Sequence, residues 1–234
     1  MNEISADQLE MLRRFDTPTI CNALELIMPE RRATGFTVEN MVCRDAAMPP
    51  MVGFARTATI RAVTPAVLPP AEQRSLRAAY YTYVAEGGPT PSISVVQDLD
   101  PNPGFGALWG EVNTAIHLGL GCQGVVTNGS IRDLPQCAPG FQLLAGKIGP
   151  SHAHVHVVDF GKPVNVFGMA VDDGDLIHAD CHGAVVIPPA AVARIEQTVD
   201  LLTRREAVIL ECARAPGFDI AKLLKAMADS AEIH

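Results

Sequence analysis

Residues 104–134, GFGALWGEVNTAIHLGLGCQGVVTNGSIRDL, decide the fold. The stretch opens on a glycine-rich loop, Gly104-Phe105-Gly106-Ala107-Leu108-Trp109-Gly110, with a carboxylate next at Glu111. A helical run from Val112 to Leu120 follows and stops at Gly121. The apolar Gly124-Val125-Val126-Thr127 reads as a strand that breaks at Asn128-Gly129, a strong turn signal, with Arg132 and Asp133 just beyond. A strand, Ile93-Ser94-Val95-Val96, leads in. Strand, glycine loop, helix, strand and polar turn make a βαβ unit. In an open α/β sheet the ligand crevice lies beyond the carboxyl ends of the strands. The glycine loop and the Arg132-Asp133 turn both follow strands, so both are expected at that end.

These residue types suit one chemistry. Amides at a helix N-terminus favour an anion, and Arg132 is able to grip a carboxylate with two parallel hydrogen bonds. Asp133 and Glu111 are hard oxygen ligands matched to Mg²⁺ or Mn²⁺, directly or through water. Together they describe a site for a small carboxylate beside a divalent cation. The plainer reading is that the glycines only turn the chain and that Arg132-Asp133 is a surface ion pair.

Glu111, twenty intervening residues and then Arg132-Asp133 resembles the D/E-x20-R-D signature of the RraA-like family. That family includes the class II 4-hydroxy-4-methyl-2-oxoglutarate/4-carboxy-4-hydroxy-2-oxoadipate aldolases and the protein regulators of ribonuclease E. ALWGE, GCQGVVTNGSIRD, HVHVVDFGKPV and GDLIHADCHGAVVIP are similar to the family in the same order, from about Leu9 to about Glu211. The resemblance implies an α/β fold, a layered swivelling β/β/α-type domain with N- and C-terminal helices. It implies a homotrimer or a hexamer made of two trimers, with the site at a subunit interface. It also implies a metal-dependent lyase that cleaves a carbon–carbon bond of a 2-oxo acid to give pyruvate, oxaloacetate decarboxylation being a related activity. In that reading the amides of Gly106, Ala107, Leu108 and Trp109, together with Arg132, hold the pyruvyl carboxylate and keto oxygen. Asp133 anchors Mg²⁺ or Mn²⁺, Glu111 orients its waters, and Glu206 approaches from a neighbouring subunit. The catalytic set is thus Arg132, Glu111 and Asp133. The family's ribonuclease regulators typically lack the aspartate after the arginine; Asp133 is present here, which favours an enzyme over a non-catalytic binding protein. A different enolate-forming reaction on a sugar acid at the same site is a third reading.

The rest of the chain frames this site. At 234 residues, with no linker, low-complexity tract or internal repeat, residues 1–234 read as one domain with a helical extension from about 190. A composition 48% hydrophobic and 19% charged is that of a soluble globular protein. No apolar run reaches the ~18 residues of a membrane span. The polar N-terminus shows no signal-peptide pattern. A net charge of -8 argues against a nucleic-acid surface, though not against a basic protein partner. Six scattered cysteines without a C-x-x-C pair fit reduced thiols in a cytoplasm. Of the four lysines, only Lys147 has an apolar context suited to Schiff-base chemistry, so a metal-dependent mechanism is favoured.

Ser5 with Gln8 opens a helix over 5–16, and Asp16 to Thr19 caps a second through Leu26. In the family's second helix an aspartate often stands before Ala-Leu; Asn22 stands there here. Strands are expected over 52–63, 141–145, 164–170 and 183–187, and a helix over 71–86. Tyr80, Tyr81 and Tyr83 at the end of that helix either line a substrate pocket or dock it to the core. His152, His154 and His156 alternate and would share one face of a strand; with His178, Asp180 and His182 they invite a metal reading. The alternative, which is preferred, makes them strand-face and turn histidines. Pro188-Pro189 starts a long helix, about 190–214, and a short one from Ile220 to Ala228 ends the chain.

Overall fold

The computed structural model describes residues 4–234; residues 1–3 of the polar N-terminus lie outside the described residues. Helix α1 (Ala6–Arg13) starts on a complete capping box, Ser5 receiving the Gln8 amide while the Gln8 side chain receives that of Ser5. Asp16 caps α2 (Thr17–Ile27) by accepting from the Thr19 amide at 2.9 Å. After a single 3₁₀ turn and the short strand β1 (Val42–Cys43), strand β2 (Met51–Arg61) begins. Helix α3 (Pro70–Glu86), β3 (Ser92–Asp98), β4 (Ala107–Trp109), α4 (Glu111–Gly119) and β5 (Cys122–Ile131) follow. Then come β6 (Gln142–Ile148), β7 (His156–Phe160), β8 (Val164–Val166), β9 (Met169–Val171), β10 (Leu176–Asp180) and β11 (Gly183–Ile187). Helices α5 (Pro189–Arg214) and α6 (Ile220–Ala231) close the chain.

The main sheet runs β1-β6-β5-β3-β2-β10-β11, with β4 added on β5 and β7 on β2. Its centre, β2, β3, β5 and β6, is parallel; β1, β7, β10 and β11 pair antiparallel. Strand β2 lacks a period of two because both its faces are buried. Val52 and Phe54 pack towards α1, α2 and α5, Met51 and Ala55 towards the β8–β9 hairpin, and Ala58 and Ile60 towards Tyr80 of α3 and Trp109 of β4. A strand covered on both faces reads as a continuous apolar run.

Three local expectations are corrected. Asn128-Gly129 is not a turn; β5 runs straight through it. Asn128 hydrogen-bonds β3 in place of its own backbone, accepting from the Asp98 amide at 2.7 Å and donating to the Asp98 carbonyl at 3.1 Å. Thr127 faces Ala145 and Ser130 faces Lys147, so one extra residue of β5 bulges out there. The strand expected over 164–170 is a hairpin, β8–β9, that turns on Phe167 and Gly168, both at positive φ. The three alternating histidines do not share a strand. Strand β7 starts only at His156; Ala153 is left-handed, and the Val155 amide turns back to the His152 carbonyl.

Both ring nitrogens of His178 are engaged in the fold. Nδ1 accepts from the Thr17 hydroxyl at 3.0 Å, and Nε2 donates to the Phe15 carbonyl at 3.0 Å. This buried histidine fastens the α1–α2 corner to β10 and is not available as a metal ligand. Asn22 is an exposed amide on α2.

Candidate active site

The glycine loop is held from below. The buried Asp98 carboxylate accepts from the Gly104 amide at 2.8 Å and the Asp100 amide at 3.0 Å. Asp100 in turn accepts from the Ala62 and Val63 amides at 2.6 and 2.9 Å. The chain then enters β4, which lies parallel to the end of β5. The Trp109 carbonyl accepts from the Arg132 amide at 2.9 Å. That bond brings the start of α4 beside Arg132 and Asp133.

Arg132 Nε lies 3.2 Å from Asp133 Oδ2, and both side chains are about one-third exposed or less. Asp133 takes a left-handed φ of 51°, rare for a residue with a Cβ. Its carbonyl accepts from the Gln136 and Cys137 amides, so the strained residue starts a tight turn. The turn directs the carboxylate at Gly110. A Cβ at Gly110 would lie 2.6 Å from Asp133 Oδ2 and 3.2 Å from Arg132 Cγ. Gly110 is also the N-cap of α4, and no side chain caps that helix. The amides of Glu111, Val112 and Asn113 lie in its first turn, where no intrahelical acceptor exists. Glu111 is exposed there.

These groups face a cleft of about 480 Å³, within the range of small-molecule sites. Leu108, Gly110, Glu111, Arg132 and Asp133 line it, and Arg77, Tyr81, His152 and His156 are among the other lining residues. Tyr81 donates to Asn113 Oδ1 at 2.7 Å, and Asn113 Nδ2 donates to the Leu108 carbonyl at 2.6 Å, tying α3 to the start of α4.

The expected residues divide. Leu108, Glu111, Arg132 and Asp133 come together at the cleft. Gly106, Ala107 and Trp109 do not line it. Gly106 is pressed against the His152 backbone, the Ala107 amide donates to the Ser151 carbonyl at 2.9 Å, and Trp109 is wholly buried. The uncapped amides of Glu111 to Asn113 open α4 beside these residues. Glu206 is exposed on α5 and does not line this chain's cleft. Lys147 is exposed, donates to the Pro103 carbonyl at 2.6 Å and is absent from the cleft wall. Gly110 was legible only as a helix-preceding glycine; its closeness to Arg132 and Asp133 is tertiary. Of the tyrosines, Tyr80 and Tyr81 both line the cleft, Tyr80 from within the core; Tyr83 hydrogen-bonds Asp173 and the Thr57 amide.

An aromatic base supports the site. Trp109 stacks on Phe141 at 5.7 Å and meets His117 at 4.5 Å between ring centroids. His117 contacts the Asn113 carbonyl through Nδ1 at 2.7 Å and the Tyr80 hydroxyl through Nε2 at 3.0 Å. Burial pushes the His117 pKa down to about 4. The unfolded chain takes up this proton near pH ~6.5, so the fold loses stability as pH falls from there towards ~4, by about 3 kcal/mol in all. Urea midpoints should therefore drop between about pH 7 and pH 5, and drop less in His117→Gln. An equal drop in wild type and variant would contradict this role for His117.

The layered α/β fold is one seen in solved structures. An uncharacterized protein from Pseudomonas syringae matches with a TM-score of 0.71 at 19% identity, over 97% of this chain and 96% of that one. Streptomyces coelicolor RraAS2, an unusual member of the RNase ES inhibitor RraA protein family, matches at 0.65 and 22% identity, over 87% and 95%. The RNA-processing inhibitor RraA from Thermus thermophilis matches at 0.52 and 18%, over 70% and 90%. An uncharacterized protein of Methanocaldococcus jannaschii is 29% identical over 107 residues, 45% of this chain and 51% of that protein. The chain thus spans about half the length of this curated relative. The RraA-like family model, Aldolase/RraA, matches residues 17–186, and the chain belongs to that family. The family holds both lyases and ribonuclease E inhibitors, and its members are typically oligomeric. No helix among the described residues is long and apolar enough to cross a membrane.

Proposed function

We propose that this chain, acting as one domain over residues 1–234, is a divalent-metal-dependent lyase that cleaves a carbon–carbon bond of a 2-oxo acid and releases pyruvate. The observation that carries this reading is the Arg132–Asp133 pair set against Gly110 at the uncapped start of α4, inside a cleft of small-molecule size.

The donor set fits a hard cation. Asp133 offers one carboxylate at the cleft, and Glu111 a second at its rim. Mg²⁺ and Mn²⁺ sites of this kind hold few protein oxygens and keep several waters. Asp133 would be the direct ligand, Glu111 would act through water, and Glu206 of a neighbouring copy in a trimer or hexamer would complete the shell. When bound, the cation supplies polarisation of the substrate's keto group. Arg132 binds the pyruvyl carboxylate and stabilises the negative charge that grows on the keto oxygen as the bond breaks. The amides of Glu111, Val112 and Asn113 orient the same carboxylate. Arg77, which also lines the cleft, would meet an anionic group at the distal end of the substrate. Reduced thiols and a cytoplasmic setting go with this reading.

The test is pyruvate release followed with lactate dehydrogenase, using 4-hydroxy-4-methyl-2-oxoglutarate and oxaloacetate with Mg²⁺ or Mn²⁺, and again with EDTA. Metal-dependent pyruvate is the expected result. No turnover in protein that still binds Mn²⁺ would point to another enolate-forming reaction, such as one on a sugar acid. Neither turnover nor Mn²⁺ binding would favour a protein-binding regulator. Within the enzyme reading, Arg132→Lys should lower kcat/KM by ~10²-fold or more, because a point charge replaces a planar fork. Arg77→Ala should raise KM for a dicarboxylate substrate and leave kcat nearly unchanged; an unchanged KM would remove Arg77 from the site.

A further inference from the structure

Among the described residues, one group of three His, Cys, Asp or Glu side chains brings its ligand atoms within 4.8 Å of one another: Asp180, Cys181 and His182. They form the tight connection from β10 to β11, next to Ala179, which pairs with Met51 at the start of β2. Arg132 and Asp133 follow the end of β5, which runs parallel with β2 through β3. The two sites therefore lie at opposite ends of the parallel strands.

Two contacts converge on one atom. His182 Nδ1 is 3.1 Å from Asp180 Oδ1 and 3.6 Å from Cys181 Sγ. A triad of nucleophile, base and carboxylate needs the two partners on different ring nitrogens. A proton on Nδ1 serves the carboxylate alone, whereas a metal ion serves all three groups. On a tetrahedral zinc ion with ordinary bond lengths, nitrogen and oxygen ligands lie ~3.3 Å apart and nitrogen and sulfur ligands ~3.6 Å apart. The observed spacings match both.

The carboxylate is held in place by backbone amides. Oδ2 accepts from the Thr17 amide and Oδ1 from the His182 amide, each at 2.8 Å. Cys181 and His182 are exposed, so an ion has an entry path. A shallow cavity of about 130 Å³, lined in part by Thr17 and Thr37, adjoins His182.

We infer that Asp180 Oδ1, Cys181 Sγ and His182 Nδ1 form a site for a zinc-type transition-metal ion, separate from the hard-cation site at Asp133. Thiolate and imidazole select such an ion over Mg²⁺. Binding releases the thiol proton and leaves the imidazole proton on Nε2. The test uses the full-length chain under a non-thiol reductant, with excess Mg²⁺ and one equivalent of Co²⁺. The expected result is one Co²⁺ per chain, with a thiolate-to-cobalt charge-transfer band and tetrahedral visible absorption, both bleached by Zn²⁺. Cys181→Ser should lose the charge-transfer band. His182→Gln should weaken binding by at least the ~10–100-fold that loss of an outer-shell partner costs. Asp133→Ala and Cys212→Ser should keep the band. Absence of the band in the wild-type chain, its persistence in Cys181→Ser, or its loss in Asp133→Ala would overturn the assignment.

Discussion

Exchange of Asp133 for asparagine is expected to reduce metal-dependent pyruvate release to background, with the fold intact. Asparagine keeps the shape of the side chain and tolerates the left-handed backbone that residue 133 adopts at φ 51°. The variant thus isolates the charge. Alanine at the same position removes the ligand as well, but the left-handed conformation then costs ~1 kcal/mol or more. The two variants should therefore be equally inactive and differ in melting temperature. Mn²⁺ binding, read by electron paramagnetic resonance, should disappear in both. Asp133→Asn with wild-type turnover would sink the assignment of Asp133, and with it the metal-dependent reading.

The second large effect is expected at a residue with no functional group. Gly110 has φ of -165°, an extended conformation open to any residue, so alanine brings no backbone strain. Its methyl group would instead meet Asp133 Oδ2 at 2.6 Å, Arg132 Cγ at 3.2 Å and Arg132 Nε at 3.4 Å. Both functional side chains must move. A displacement near 1 Å at a reacting centre costs ~10²-fold, and that is the fall in kcat/KM expected of Gly110→Ala. Gly119, at the other end of the same helix, has nothing within 4 Å of the added carbon. Gly119→Ala should leave turnover unchanged and stabilise the fold by ~0.5–1 kcal/mol, since alanine is the better helix former. Activity equal to wild type in Gly110→Ala, measured beside that control, would show that the cleft does not need Arg132 and Asp133 where they stand.

Local signals made much of this protein readable in advance. The Ser5–Gln8 capping box, the Asp16 cap, the proline start of α5 and the glycine-to-helix step at Gly110 each act within a few residues. Their outcome is settled by short-range hydrogen bonds and steric limits. Glu111, Arg132 and Asp133 were legible as a group because β3, β4, α4 and β5 follow one another, so the chain itself delivers them to one end of the sheet.

Tertiary context overrode the local signal elsewhere. Asn128-Gly129 would turn an isolated peptide, but the Asn128 side chain finds both backbone groups of Asp98 on β3 and the strand continues as a bulge. The alternation of His152, His154 and His156 carries no strand, because the Ala107 amide and the Ala62 carbonyl capture the backbone of Ser151 and His154. The glycine-rich loop likewise ends in a strand, because Ala107 and Trp109 pair with the end of β5. The sequence by itself thus determined the helices, the central parallel strands, the family and the acidic and basic residues at one end of the sheet. Only the tertiary structure decided that β5 continues through Asn128-Gly129, why residue 110 must lack a side chain and which histidine beside Asp180 is exposed. Each of these depends on groups far apart in the chain competing for the same hydrogen bonds and the same space.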